Sequence, residues 1–285
     1  MRKETNLWID AWQRLIRNKL AVLGAIVVLF FLFLAIFANV IAPYPYDLTN
    51  FADAYQSPNA TYWFGTSPLG QDMFSRLIYG AQISLGVAAV SVTFACVVGT
   101  TLGLVAAFYR GLSETVIMRS IDILLSFPTI VLAIAIVAML GPSVRNVMIV
   151  IGVIFIPRFT RIVYGATLTM REAEFVQAAR VIGSRGWRII FKSILPNVLA
   201  PIFVQISLSL GAAILIETGL SFLGLGAQPP TPSWGNMVAD ARDFMEQKPL
   251  LLIAPSAVIG LTILSLNMLG DGLRDTLDPR LRGSR

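Results

Sequence analysis

Few residues in this 285-residue chain have the types or the spacing for chemistry of their own. It contains no histidine, which removes Ser–His and Cys–His nucleophilic machinery and every His-ligated metal site. The one cysteine, Cys96, falls inside an apolar run, so neither an intrachain disulfide nor a cysteine metal cluster is expected. The lysines follow Arg2, Asn18, Phe191 and Gln247, and none completes the Gly-Lys-Ser/Thr of a phosphate loop. Gly270-Asp271-Gly272 has the wrong order for an intramembrane aspartyl protease. The residues therefore predict a protein that is not an enzyme, needs no cofactor and holds no metal.

Two acids stand out because apolar sequence surrounds them, where a charge is costly. Asp122 follows Arg119 by three residues, the spacing of a local helix pair. Glu217, in "ILIETGLSFLGLG", has no basic neighbour on its own helix; it either pairs with another subunit or lines a polar pathway.

The elements that position these residues follow from composition. The chain is 56% hydrophobic and 13% charged, well below the quarter that is charged in soluble domains. Apolar runs of about 20 residues, enough to cross a ~30 Å hydrocarbon core, lie near Leu20–Ile41, Ile83–Phe108, Ile121–Leu140, Val147–Tyr164, Val198–Leu220 and Leu250–Leu269. An all-α integral membrane fold with six spans is expected, both termini on one side. With that side cytoplasmic, all of the 22 basic residues except Arg76, Arg145, Arg242 and Lys248 fall in or beside cytoplasmic segments, as the positive-inside rule requires. The net charge of +6 is thus a topology signal, and no nucleic-acid partner is expected. The first run is too long for the apolar region of a cleaved leader and lacks a small-x-small site behind it. Residues 1–19 are read as a cytoplasmic segment and 20–285 as the membrane domain, with outer loops at 43–82 and 221–249 and a cytoplasmic loop at 167–197.

The outer loops carry "WFGTSPLGQDMFSRLIYGAQISL" (63–85) and "SFLGLGAQPPTPSWGNM" (221–237), too rich in Gly and Pro to be helical in lipid. They must be covered by protein or face water. Within the apolar runs, Gly99 and Gly103 form a G-x-x-x-G that permits close helix packing, and Pro157 and Pro255 read as kinks.

The 167–197 loop is basic and amphipathic. Over Arg171–Ile182 a helical pattern puts Phe175, Ala179 and Ile182 on one face, Gly183 supplies a left-handed stop, and Ser184 caps a second helix. That helix is read with Trp187, Ile190, Phe191 and Ile194 on one face and Arg185, Arg188 and Lys192 on another, ending at Pro196. Such a pair either lies on the bilayer or presents a knob to a soluble partner's groove.

This loop resembles the coupling loop of membrane subunits of bacterial ATP-binding-cassette importers, Glu-Ala-Ala-x3-Gly-x9-Ile-x-Leu-Pro. Gln177-Ala178-Ala179, Gly183, Ser193, Leu195 and Pro196 keep its spacing, with Gln177 replacing Glu and Ser193 replacing Ile. "FGTSPLGQDMFSRLIYGAQISLG", "SFLGLGAQPPTPSWG" and "GDGLRDTLDPRLRG" are similar to signatures of the dipeptide, oligopeptide and nickel permease subfamily, nearer its second permease. Ser67 and Gln71 stand where Asp and Arg are usual. The resemblance implies half of a translocation path for peptides in the bacterial inner membrane. The alternatives are a nickel-chelate or glutathione permease of the same family and, outside it, a self-contained secondary transporter or a membrane scaffold. The implied partners are a homologous permease, two ATP-binding subunits that hydrolyse ATP, an extracytoplasmic solute-binding protein and membrane lipid. The implied coupling residues are Glu174, Gln177, Ala178, Ala179, Gly183, Trp187 and Pro196. Glu217, Asp72, Arg76 and Trp234 are the candidates for the translocation path or outer gate.

Overall fold

A computed structural model describes residues 13–277. The first twelve residues of the expected N-terminal segment, and the end of the terminal motif beyond residue 277, lie outside the described residues. Helices dominate: α1 Lys19–Ile36, α2 Met73–Tyr109, α3 Gly111–Leu125, α4 Thr129–Leu140, α5 Val144–Arg171, α6 Glu174–Val181, α7 Leu195–Phe222, α8 Trp234–Ala241 and α9 Pro249–Leu277. Among the described residues the nearest thing to a sheet is an isolated bridge between Thr66 and Asp72.

Five helices are long and apolar enough to cross a membrane, or six if one bent pair counts as a single span. Their starts follow from local capping. The side chains of Asn18, Asp72 and Ser143 accept hydrogen bonds from backbone N–H groups in the first turns of α1, α2 and α5.

The bent pair corrects the expected third span. Ile121–Leu140 is not one helix: α3 and α4 meet at 90° across Ser126–Pro128. Pro128 lacks an N–H to continue α3 and drives the residue before it out of the helical region. The remaining α4 has 12 residues, about 18 Å of helix, too short to cross alone.

The second span also differs, beginning at Met73 rather than Ile83. Hydropathy locates helix that faces lipid, and the first turns of α2 face protein: Met73, Ser75, Arg76, Leu77 and Ile78 are buried. Part of the expected 43–82 loop is therefore helix, and α8 likewise lies within the 221–249 loop.

Small residues set the packing. A methyl group placed on Gly99 would come within 2.6 Å of Phe159 Cβ, and one on Gly103 within 2.7 Å of the Thr160 carbonyl, so the G-x-x-x-G does seam α2 to α5. Ser91 Oγ donates across the same seam to the Met148 carbonyl at 2.8 Å. Ser207 Oγ does the same between α7 and α9, donating to the Leu266 carbonyl at 2.8 Å. These contacts run α2 parallel to α5 and α9 antiparallel to α7. The ends of α1 and α7 and the starts of α2 and α9 thus gather with α8 at one end of the bundle, and the 174–197 segment lies at the other.

Candidate functional site

At that second end, α6 stops in a glycine-terminated cap. Gly183 has φ of +77°, its N–H donates to the Arg180 carbonyl at 3.0 Å, and Ser184 N–H donates to the Ala179 carbonyl at 3.0 Å. The left-handed stop is where the sequence puts it. Ser184 is not the cap of the next helix, because its backbone N–H completes the cap of α6; Arg185 takes the N-cap position, with no side-chain bond.

The second helix departs further. After one turn at Gly186–Arg188 the chain widens into a π turn, Ile189–Ile194, before α7 begins at Leu195. Pro196 does not end a helix; it sits at the start of α7, and Asn197 Nδ2 donates back to the Ser193 carbonyl at 2.7 Å. The π turn shifts the register of the buried face. Ile189, Ile190 and Ile194 point inward with Val176, joining Leu104, Val163, Val198 and Ile202 in one cluster. Trp187 and Phe191, expected on the same face, are each more than half exposed. In α6, too, the expected Phe175 and Ile182 face is the open one.

The element is therefore a knob tied to α2 and α5 from below. Gly186 abuts the Phe108 ring, and the Arg180 guanidinium lies 5.3 Å from that ring's centre. Glu174, Gln177 and Ala178 are exposed on α6, Ala179 is half-buried, and Phe175, Val181, Ile182, Trp187 and Phe191 form an unburied apolar rim.

At the other end the four expected pathway residues are each buried. Trp234, fully buried, donates its indole N–H to the Leu77 carbonyl at 3.0 Å and its backbone N–H to Ser84 Oγ at 3.3 Å. Phe31 meets its ring edge-on at 5.9 Å between centroids. A reciprocal pair of hydrogen bonds between Ser233 and Asn236 starts α8 and fixes the indole's entry.

Glu217 is 1% exposed. Its Oε1 accepts from Ser221 Oγ at 2.7 Å, and its Oε2 is buried without a hydrogen bond, in the same buried end of the molecule as Ser84 and Ser233. The Ser84 and Ser233 hydroxyl oxygens each accept a backbone N–H, from Trp234 and Asn236. Arg76, 6% exposed, donates to Gln71 Oε1 at 2.6 Å and lies 3.9 Å from Asp240. Burial pushes the Asp240 carboxyl above its ordinary range and the Arg76 charge opposes that.

Two features escaped the sequence reading. Ser221 stands four residues after Glu217, visible in advance, whereas Ser84 and Ser233 arrive from distant segments. Asp122 pairs with Arg161 of α5 at 2.6 Å and not with Arg119. The Tyr164 hydroxyl likewise donates to Glu114, so α3 is held to α5 at two points.

Residues 99–283 match the family described as the binding-protein-dependent transport system inner membrane component. The chain belongs to that family. Residues 6–58 also match the N-terminal transmembrane domain of oligopeptide transport permease C.

The dipeptide transport system permease protein DppC of Alkalihalophilus pseudofirmus is 47% identical over 275 residues, covering 96% of this chain and 90% of that one. The glutathione transport system permease protein GsiD of Pectobacterium atrosepticum is 42% identical over 278 residues, covering 96% and 92%. The inward-facing MetNI methionine ABC transporter matches 72% of this chain and 98% of its own at a TM-score of 0.62 and 16% identity, a likeness of fold. This member of the family is thus an inner membrane component of a binding-protein-dependent transport system.

Proposed function

We propose that this chain is one membrane half of a peptide importer, glutathione-like peptides included. It crosses the bacterial cytoplasmic membrane six times, α3 and α4 together making the third crossing, with both termini cytoplasmic. A homologous permease completes the path, two ATP-binding subunits take the knob, and an extracytoplasmic binding protein delivers substrate to the outer loops. The names of the dipeptide and glutathione relatives support the substrate class.

One observation carries the coupling assignment: the knob is locked to α2 and α5 on its inner side while five large apolar side chains stand uncovered on its outer side. This is the form of a helix presented to a groove. Glu174, Gln177, Ala178, Ala179, Gly183 and Trp187 shape that presented surface, and Pro196 joins it to α7.

The knob is continuous with a span. From Gly186 to Phe222 the helical rod has 37 residues, about 55 Å. Its inner end is the knob and its outer end holds Glu217 and Ser221 against α8. Movement imposed by ATP closure is thereby carried to the Trp234 contact. Glu217, Asp72, Arg76 and Trp234 hold the outer end together as a gate, without lining an open path. Coupling requires only that ATP and the loaded binding protein favour the same state.

Ala178→Arg tests this. The side chain is exposed, so the variant is expected to insert and accumulate normally while uptake falls at least tenfold and ATP hydrolysis no longer responds to binding protein. Normal uptake would refute the coupling role.

A further inference from the structure

Halfway along α5 an arginine stands on the surface without a carboxylate. Arg158 lies about 20 Å from both Val144 and Arg171, the two ends of the helix, too deep for its side chain to reach water at either end. It is exposed. Among the described residues it makes no ion pair, and its guanidinium carbon sits 4.6 Å from the centre of the fully buried Phe155 ring.

Its surroundings are polar as well. One turn further in on α5, Arg161 pairs with Asp122 at 2.6 Å, and the two side chains are 54% and 42% exposed. The turn at 141–143 joins α4 to α5, and the two helices pack together. Measured from that turn, Pro128 and Arg158 both lie about 20 Å down, so the bend between α3 and α4 is at the depth of Arg158. Ser126, Phe127 and Pro128 are exposed there, and the Ser126 and Phe127 carbonyls accept no backbone N–H. Charges and open backbone at such a depth are tolerated where they face water or protein, not lipid.

The stretch from α3 to α5 contains two acids, and both are engaged: Glu114 by Tyr164 and Arg110, Asp122 by Arg161. Arg158 therefore leaves an uncompensated positive charge, and Arg119, exposed three residues before Asp122, adds to it. We propose that this strip lines the translocation path and that Arg158 binds a carboxylate there, the free C-terminal carboxylate of a peptide in transit. A guanidinium resting on an aromatic ring keeps its N–H groups, and two parallel N–H groups match the two oxygens of a carboxylate. A lipid phosphate is a poorer match, because headgroups sit at the bilayer surface. An acid of the homologous permease would close the strip off, and the Asp122–Arg161 pair speaks against that. A pair shut away from water needs its remaining polar atoms satisfied, and among the described residues Asp122 Oδ2 has no partner. That the carboxylate belongs to a peptide rests on the importer reading; the anion site does not.

The test uses the assembled transporter in lipid nanodiscs, with Cys96→Ala as background and Ser126→Cys as a reporter thiol at the same depth. Two water-soluble methanethiosulfonates, the anionic ethylsulfonate and the cationic ethyltrimethylammonium, read water access and the sign of the local charge. N-acetylalanine and N-acetylalaninamide, with and without a carboxylate, are the competing probes. Both reagents are expected to label the thiol, the anionic one about tenfold faster after scaling to free cysteine. Arg158→Gln is expected to erase that preference and Arg158→Lys to keep it. N-acetylalanine is expected to slow labelling where N-acetylalaninamide does not, and Arg158→Gln to remove the protection. Failure of both water-soluble reagents would make the strip a lipid or subunit face and overturn the proposal. Labelling without preference for the anion, or unchanged by Arg158→Gln, would overturn the carboxylate site. Uptake of alanylalanine judges the importer reading apart: labelling as expected in a transporter that takes up no peptide would keep the anion site and remove the peptide from it.

Discussion

Glu217 is where residue-level reasoning and the fold part company most usefully. From its neighbours along the chain it is an unpaired acid in an apolar helix, so another subunit or a polar pathway are the natural partners. The fold supplies a partial third answer: Ser221 of the same helix bonds one carboxylate oxygen, while the other is buried without a hydrogen bond. Glu217→Ala would leave the Ser221 hydroxyl facing a hole and is expected to lower the melting temperature of the purified transporter, at about 1–3 kcal/mol for that stranded polar group. Glu217→Gln keeps an acceptor and is expected to melt much nearer wild type. Equal losses in the two variants would contradict a stabilising Ser221–Glu217 bond. The bond was legible because Ser221 shares a helix face with the acid, while the burial around it comes from tertiary packing. Asp122 teaches the same lesson: Arg119 was the neighbour in sequence, but a helix from elsewhere supplied Arg161.

At the scale of elements, apolar runs located the helices well wherever lipid is the surrounding medium. They misjudged them where protein is. The first turns of α2 look polar because Ser75 and Arg76 are covered by the outer loop and α8, and the break at Pro128 is hidden inside a run that is apolar on both sides of the bend. The π turn at Ile189–Ile194 was beyond periodicity arguments, since one extra residue in a turn moves every following side chain around the helix. The α2–α5 seam, by contrast, was readable from glycine spacing alone. Gly103→Leu would press a large side chain into the Thr160 and Val163 backbone region, and overpacking of this kind costs about 1–3 kcal/mol. Reduced amounts of folded protein in membranes, with Gly86→Leu tolerated at an open position, are the expected outcome; equal abundance of the two variants would argue against a tight seam.

For the whole molecule, the account joins an inner knob to an outer gate through α7. Family membership was legible because the coupling loop, the two Gly/Pro-rich outer segments and the terminal motif occur in a fixed order. The contacts of Trp234 with Leu77 and Ser84 were not, because these residues belong to different segments and meet only when α8 docks. The most direct measurement is a disulfide cross-link from the knob. With Cys96→Ala as background, Ala178→Cys places a thiol on an exposed position of α6. Co-expressed with ATP-binding subunits carrying single cysteines in their membrane-facing grooves, it is expected to cross-link to them, with a yield that changes when ATP is added. If no ATP-binding subunit is captured and the thiol reacts instead with a lipid-soluble maleimide, the knob lies on the bilayer and the coupling account is wrong.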